Sequence, residues 1–307
     1  IAIFFFLYSL SKSFYTARMM RFGVRAHDLG SFDTPEALAA AVRTFGEHLP
    51  VQLAVAKSFP SSGPLDEAFA LRIREAFDRQ HVSIAVLGCY INPIHPDPAE
   101  RERQLKRFEE HLVLAPILGA PMVGTETGSV RPDCSYHPDT AEPKHLETLY
   151  SSLDRLVEYA VKVGSVVAVE AVAKQNTICS IERMARLAER FDTPRLKIIY
   201  DPVNLIPWIG IPEADGSFRA RPSLEAQRAF TDSALDAFGL RIAALHVKDF
   251  VLDEHGFKIG NLPALEGVFD WPALLADLRS RKISVPALLE NANPATLEST
   301  LSTFYSL

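Results

Sequence analysis

Four acidic or imidazole side chains stand at the ends of apolar runs: Glu170 closes VVAVE, Asp201 closes IIYD, His246 closes IAALH and Glu290 closes PALLE. They lie 31, 45 and 44 residues apart along the chain. Three carboxylates and an imidazole brought to one point would repel and desolvate badly on their own, and a divalent cation resolves the problem. Three hard oxygen donors with one imidazole suit Mn²⁺, with Mg²⁺, Co²⁺ or Zn²⁺ as alternatives, in a six-coordinate site that keeps positions for substrate or water. Such a centre offers proton transfer beside a carbonyl. One metal ion would chelate a keto oxygen and an adjacent hydroxyl and stabilise a cis-enediolate, with Glu170 and Glu290 as catalytic base and acid on opposite faces of the substrate. Return of the proton to the other face of the same carbon is epimerisation; its return to the neighbouring carbon is aldose–ketose isomerisation.

Further side chains are candidates for substrate contact, each with a plainer role beside it. His95, between prolines in INPIHPDP, can meet a hydroxyl or shape a turn. Glu126 in GTETG can meet substrate or cap local backbone. Lys174 and Lys248 can reach a hydroxyl or phosphate, or stand as solvated charges. Asn204, three residues past Asp201, joins the substrate-binding group, and Arg25 and His27 can line the mouth. Asp249 either orients His246 through its other ring nitrogen or caps the next element.

To converge, the four residues need a frame that aligns strand ends. From Arg21 onward, eight short apolar runs occur at residues 21–29, 51–59, 83–90, 121–128, 165–172, 196–203, 241–250 and 285–292. Segments of helical period separate them, among them TPEALAAAVRTFGEHL and HLETLYSSLDRLVEYAVKVG. Runs apolar on consecutive residues suit strands covered on both faces, as in a parallel sheet wrapped by helices. Eight such units predict an α/β fold, a single-domain (β/α)8 barrel over residues 19–307, with chemistry at the carboxyl ends of the strands. An open doubly wound sheet would want a glycine-rich first turn, which RAHDLGSFD lacks. The irregular stretch 206–223 follows the run that ends in Asp201, and is expected as a lid or a surface insertion.

The sequence resembles the xylose isomerase-like barrel superfamily of sugar and sugar-phosphate isomerases and epimerases. VAVE at Glu170, YDPVN at Asp201, LHVKD at His246, LLEN at Glu290 and the closing stretch LPALEGVFDWPALLADLRSRKISVPALLEN carry the resemblance. It implies a TIM barrel over residues 21–307, one divalent metal on Glu170, Asp201, His246 and Glu290, and glutamates that double as acid and base. Three-zinc endonucleases of the superfamily use a His three residues after the Asp, where this chain has Asn204. Many ketose 3-epimerases carry that His too, and place a substrate-binding Glu where Asn176 stands. The expected activity is therefore that of a metal-dependent sugar isomerase or epimerase. The alternatives are an inosose or keto-sugar dehydratase on the same site, an endonuclease IV-like phosphodiesterase, and a sugar-binding barrel without turnover.

Composition bounds the rest. The 307 residues are 48% hydrophobic and 23% charged, with a net charge of −6 and no basic stripe, which argues against nucleic acid as partner. Cys89, Cys134 and Cys179 are too few for a disulfide framework and fit a reducing compartment, so a cytoplasmic location is expected. The opening apolar run of about ten residues is short of the ~20 that span a bilayer. Residues 1–18 are expected to be an extension outside the fold, with Met19 or Met20 as the start. The expected partner is a small sugar or sugar derivative, without membrane attachment, and the chain is compatible with a homo-oligomer. The absence of a phosphate-cradling glycine loop leans toward a free sugar or sugar acid.

Overall fold

A computed structural model describes residues 20–307; the extension expected over residues 1–18 lies outside the described residues. The strands are β1 Phe22–Arg25, β2 Pro50–Leu53, β3 Ser83–Gly88, β4 Val123–Glu126, β5 Val167–Glu170, β6 Leu196–Tyr200, β7 Ile242–Val247, β8 Asp249–Leu252, β9 Lys258–Leu262 and β10 Ala287–Leu289. All but β8 and β9 form a closed parallel barrel in which β10 pairs with both β7 and β1. Each of the eight apolar runs overlaps one barrel strand. Helices α1 Pro35–Arg43, α2 Glu67–Arg79, α3 Pro98–Leu118, α4 Pro143–Val163, α5 Ile181–Arg190, α6 Leu224–Phe238, α7 Trp271–Ser280 and α8 Leu297–Ser306 connect and cover them. Local chemistry sets their ends. Thr34, Asp66, Asp97, Ser180, Ser223 and Asp270 each accept a backbone N–H in the first turn of the following helix, a cap worth about 1 kcal/mol. Gly119 and Gly164 close α3 and α4 in the left-handed conformation that a Cβ disfavours.

The apolar interior has two parts. A large cluster lies between strands and helices and takes Val167, Val169, Ile198, Tyr200, Leu245, Val247, Ala287 and Leu289. A small one fills the barrel itself: Ala85, Val86, Met122, Ala168, Ile199, Ala244 and Leu288. A Cβ on Gly124 would meet both Ile199 and Val86, side chains from other strands, as expected for a position facing a filled lumen. Because strand side chains alternate faces, the residue two positions beyond each lumen residue faces the same way. Ala168 leads to Glu170, Ile199 to Asp201, Ala244 to His246 and Leu288 to Glu290.

Alternation is not unbroken. The β2–β3 register steps from Val51↔Ile84 to Gln52↔Val86, and the β6–β7 register from Ile198↔Ile242 to Ile199↔Ala244, so Ala85 and Ala243 are extra residues. Ile242 belongs to the helix-facing core whereas Ala243 and Ala244 both pack in the lumen cluster. Without that bulge His246, four residues past Ile242, would point at the helices; with it, the imidazole points inward.

The run at 241–250, read in sequence as one strand, divides at Lys248. Its end begins an antiparallel hairpin, β8 with β9, which the sequence reading did not anticipate. Asp249 is the organiser: Oδ1 accepts the N–H groups of Phe250 and Phe269 at 2.9 Å, and Oδ2 accepts that of Leu265 at 3.1 Å. It therefore caps backbone and does not orient His246. The stretch 206–223 is fastened to this hairpin, with the Lys258 N–H donating to Trp208 O at 2.7 Å and Gly210 facing Leu252.

From β9, Lys258 reaches under the one-turn helix Pro202–Leu205, its Nζ donating to Val203 O at 2.7 Å and Ile206 O at 2.6 Å. Burial pushes this ammonium down to about 7, against about 10.4 in an unfolded chain. Between those values the unfolded chain holds more protons, so this group makes stability rise with pH from about 7 to about 10.4. Chemical denaturation of Lys258→Met at pH 7 and pH 9.5 should show a smaller gain than the native chain. Equal gains would place the ammonium in a water-like setting.

Candidate metal centre and active site

The four strand ends meet. Glu170, Asp201, His246 and Glu290 each offer one ligand atom, all within 4.8 Å of one another, and none of the four residues is more than 8% exposed. His246 Nδ1 lies 3.1 Å from Glu170 Oε2 and 3.1 Å from Glu290 Oε2. Asp201 divides its work. Oδ1 accepts the Asn204 N–H at 2.8 Å and caps the turn that Pro202 starts, a position where the missing N–H of proline costs nothing. Oδ2 is turned into the cluster, 2.8 Å from Lys248 Nζ.

Asp201 Oδ2 and His246 Nδ1 are buried without a hydrogen-bond partner of proper geometry. Buried polar atoms are seldom left so, and two of them aimed at the same small volume as two carboxylates fit a divalent cation. The donor set, three carboxylates and one imidazole, suits a hard or borderline ion. Although burial opposes charge, Glu170 and Glu290 hold the imidazole up to about 10; the field that would retain a proton there would equally retain a metal ion.

On its far side His246 is fixed by a residue that the sequence reading missed. Nε2–H donates to Gln52 Oε1 at 2.5 Å, and the Gln52 amide donates onward to the Tyr90 hydroxyl. This holds the tautomer that frees Nδ1. The signal was present in VQLAV, a glutamine inside an apolar strand. The cluster also includes two cations. Lys248 Nζ lies 2.9 Å from Glu290 Oε1, and Arg25 Nη1 lies 2.8 Å from the same oxygen while its other nitrogens engage Asp28 and Asn291. Against the upward push of burial, Lys248, His246 and Arg25 hold the Glu290 carboxyl well below its ordinary range. Burial raises that of Asp201, against the pull of Lys248.

A cavity of about 380 Å³ opens from the cluster along the mouth of the barrel, and Arg25, Glu126, Glu170, Asn204 and Glu290 line it. Asn204 Nδ2 donates to Glu170 Oε1 at 2.7 Å, and Asn176 Nδ2 to Glu126 Oε2 at 3.0 Å. Burial, then the charge of Glu170, pushes the Glu126 carboxyl up. Three other expected substrate contacts stand elsewhere. His95 is off the cavity wall, its Nδ1 accepting the Asp97 N–H at 3.2 Å within its own turn. Lys174 lies outside the wall, its Nζ over the rings of Tyr136 and Trp208 at 4.6 and 4.4 Å. Lys248 is buried behind the wall, between Asp201 and Glu290. Arg25 lines the mouth as expected, while His27 does not.

A family model described as xylose isomerase-like TIM barrel matches residues 50–305. The chain belongs to that family. A comparison with curated proteins by sequence found no match. Among solved structures, a 3-keto-D-glucoside 4-epimerase from E. coli is 16% identical, with a TM-score of 0.66 over 94% of this chain and 100% of that one. A xylose isomerase-like barrel from Mycobacterium smegmatis in complex with magnesium is 13% identical (TM-score 0.66, 94% and 96% covered). A probable 3-DHS dehydratase from Bacillus anthracis is 12% identical (TM-score 0.65, 94% and 99% covered). At these identities the likeness is one of fold. No helix among the described residues is long and apolar enough to cross a membrane.

Gln52→Leu should weaken Mn²⁺ binding by about 10- to 100-fold with the fold retained, as read by calorimetric titration of the metal. Unchanged affinity would show that the Gln52–His246 contact does not govern the ligand.

Proposed function

We propose that this barrel is a divalent-metal-dependent sugar isomerase or epimerase that transfers a proton on a carbon beside a carbonyl. The observation that carries this is the placement of two buried carboxylates, Glu170 and Glu290, each 3.1 Å from one imidazole nitrogen at the inner end of the cavity. Glu170, Asp201, His246 and Glu290 would hold the ion, with Mn²⁺ first, then Mg²⁺, Co²⁺ or Zn²⁺. When bound, it supplies Lewis-acid polarisation of a carbonyl oxygen. The resemblance in fold to an epimerase and to a magnesium-bound barrel supports this reading.

The chain's own groups divide the proton work unequally. Glu170 has a neutral amide, Asn204, on its free oxygen, whereas Glu290 is braced by Lys248 and Arg25. A carboxylate with two cations against it is the weaker base, so Glu170 takes the substrate proton and Glu290 works from the opposite side of the mouth. Lys248 and Arg25 offset the charge of Asp201 and Glu290, so the site tolerates negative charge building on the substrate oxygen. Asn204 and Glu126 line the space where hydroxyl groups would lie, the Glu126 carboxyl with one oxygen accepting from Asn176.

Incubation of the Mn²⁺-loaded protein with ketoses in D₂O should place deuterium on the carbon beside the carbonyl. Glu170→Gln and Glu290→Gln should each slow exchange by about 10²- to 10⁴-fold. Product NMR separates epimerisation, isomerisation and the dehydration that shares the same first step. Near-normal exchange in either variant would remove that glutamate from the mechanism.

A further inference from the structure

The lining of the cavity also holds two cations outside the acidic cluster. These are Lys57 and Arg107, and among the described residues neither is ion-paired with a carboxylate, unlike Arg25 and Lys248. Both are built around one residue. Lys57 Nζ stands 4.6 Å above the Tyr90 ring, and Arg107 Nη2 donates to Tyr90 O at 2.7 Å. Tyr90 is fixed in turn by Gln52, so the ring and carbonyl that the two exposed cations touch are tied to the residue that holds His246. The Asp133 carboxylate, which also lines the cavity, is engaged through Oδ1 by the backbone and hydroxyl of Ser135. A neutral ketose would need no such pair. A guanidinium and an ammonium on one wall form a receptor for a carboxylate or phosphate, since both hydrogen-bond its oxygens with charge assistance.

We propose that the substrate is an anionic keto sugar, its carbonyl toward Glu170 and Glu290 and its carboxylate or phosphate held by Lys57 and Arg107. This rests on the proton-transfer reading above; of the free sugar or sugar acid toward which the missing glycine loop leaned, it keeps the sugar acid, sets the neutral sugar aside and adds a phosphate ester. It makes Lys57 and Arg107 specificity residues that take no part in metal binding or proton transfer.

The test is calorimetric titration of the Mn²⁺-loaded protein with D-fructose, D-fructose 6-phosphate and 5-keto-D-gluconate. At least one anionic ketose should bind about tenfold or more tighter than D-fructose, as expected for charge-assisted contacts. The doubly substituted Lys57→Met, Arg107→Met chain should lose that preference while its affinities for Mn²⁺ and D-fructose stay level, and Arg107→Lys should keep part of it. Preference for the phosphate ester alone identifies a phosphorylated substrate, and preference for the keto acid alone a sugar acid. Equal binding of all three sugars, or a preference that survives the double replacement, overturns the inference. Deuterium exchange into D-fructose with no anion preference would sink the anion site and leave proton transfer standing. Anion preference without exchange into any of the three would do the reverse.

Discussion

Mutual repulsion among Glu170, Asp201 and Glu290 is the constraint around which the rest is arranged. Three carboxylates, all buried and converging within one small volume, lose their hydration and oppose one another, and bare burial of this kind costs several kcal/mol per charge. The surrounding groups answer it. Lys248 lies between Asp201 and Glu290, Arg25 faces Glu290, and His246 presents one nitrogen to two glutamates. The Oδ2 of Asp201 and the Nδ1 of His246 are held in these ion pairs without a well-aligned hydrogen bond, and the volume they face fits a divalent ion. The charge pattern that would retain a metal is the same one that would let a substrate oxygen gain charge at low cost, so binding and chemistry at this cluster would have a common physical origin.

Holding the repulsive cluster together falls to backbone devices outside it. The bulge at Ala243 turns His246 inward, and the one at Ala85 fills the lumen below Tyr90 with two adjacent side chains. Asp201 is tied down twice, as cap of the turn 202–205 and through the carbonyls of that turn, which Lys258 gathers from the β8–β9 hairpin. The hairpin is thus a clamp on the turn that Asp201 caps, inserted between the last two strands of the barrel.

The eight strands and the four strand-end residues were legible because each apolar run stops at a polar group, and in a parallel barrel strand ends share one face. Runs apolar on every residue conceal which side chains face the lumen, however, and strict alternation from Ile242 would have sent His246 to the wrong side. Neither bulge has a mark in the sequence, since Ala85 and Ala243 are ordinary strand residues. The hairpin was hidden for a related reason: LHVKDF reads as one strand, and only the backbone bonds of Asp249 break it. His95 and Lys174 show that nearness to a strand end does not fix direction; one accepts a hydrogen bond within its own turn and the other lies over two aromatic rings. Gln52 was undervalued although a lone amide in an apolar strand is costly without a partner.

Crystals soaked in Mn²⁺ and measured at wavelengths on both sides of the manganese absorption edge would locate the ion directly. One anomalous peak within bonding distance of Glu170, Asp201, His246 and Glu290 together is the result expected. A peak bound by other residues, or none at this cluster under conditions that keep the crystal ordered, would contradict the account.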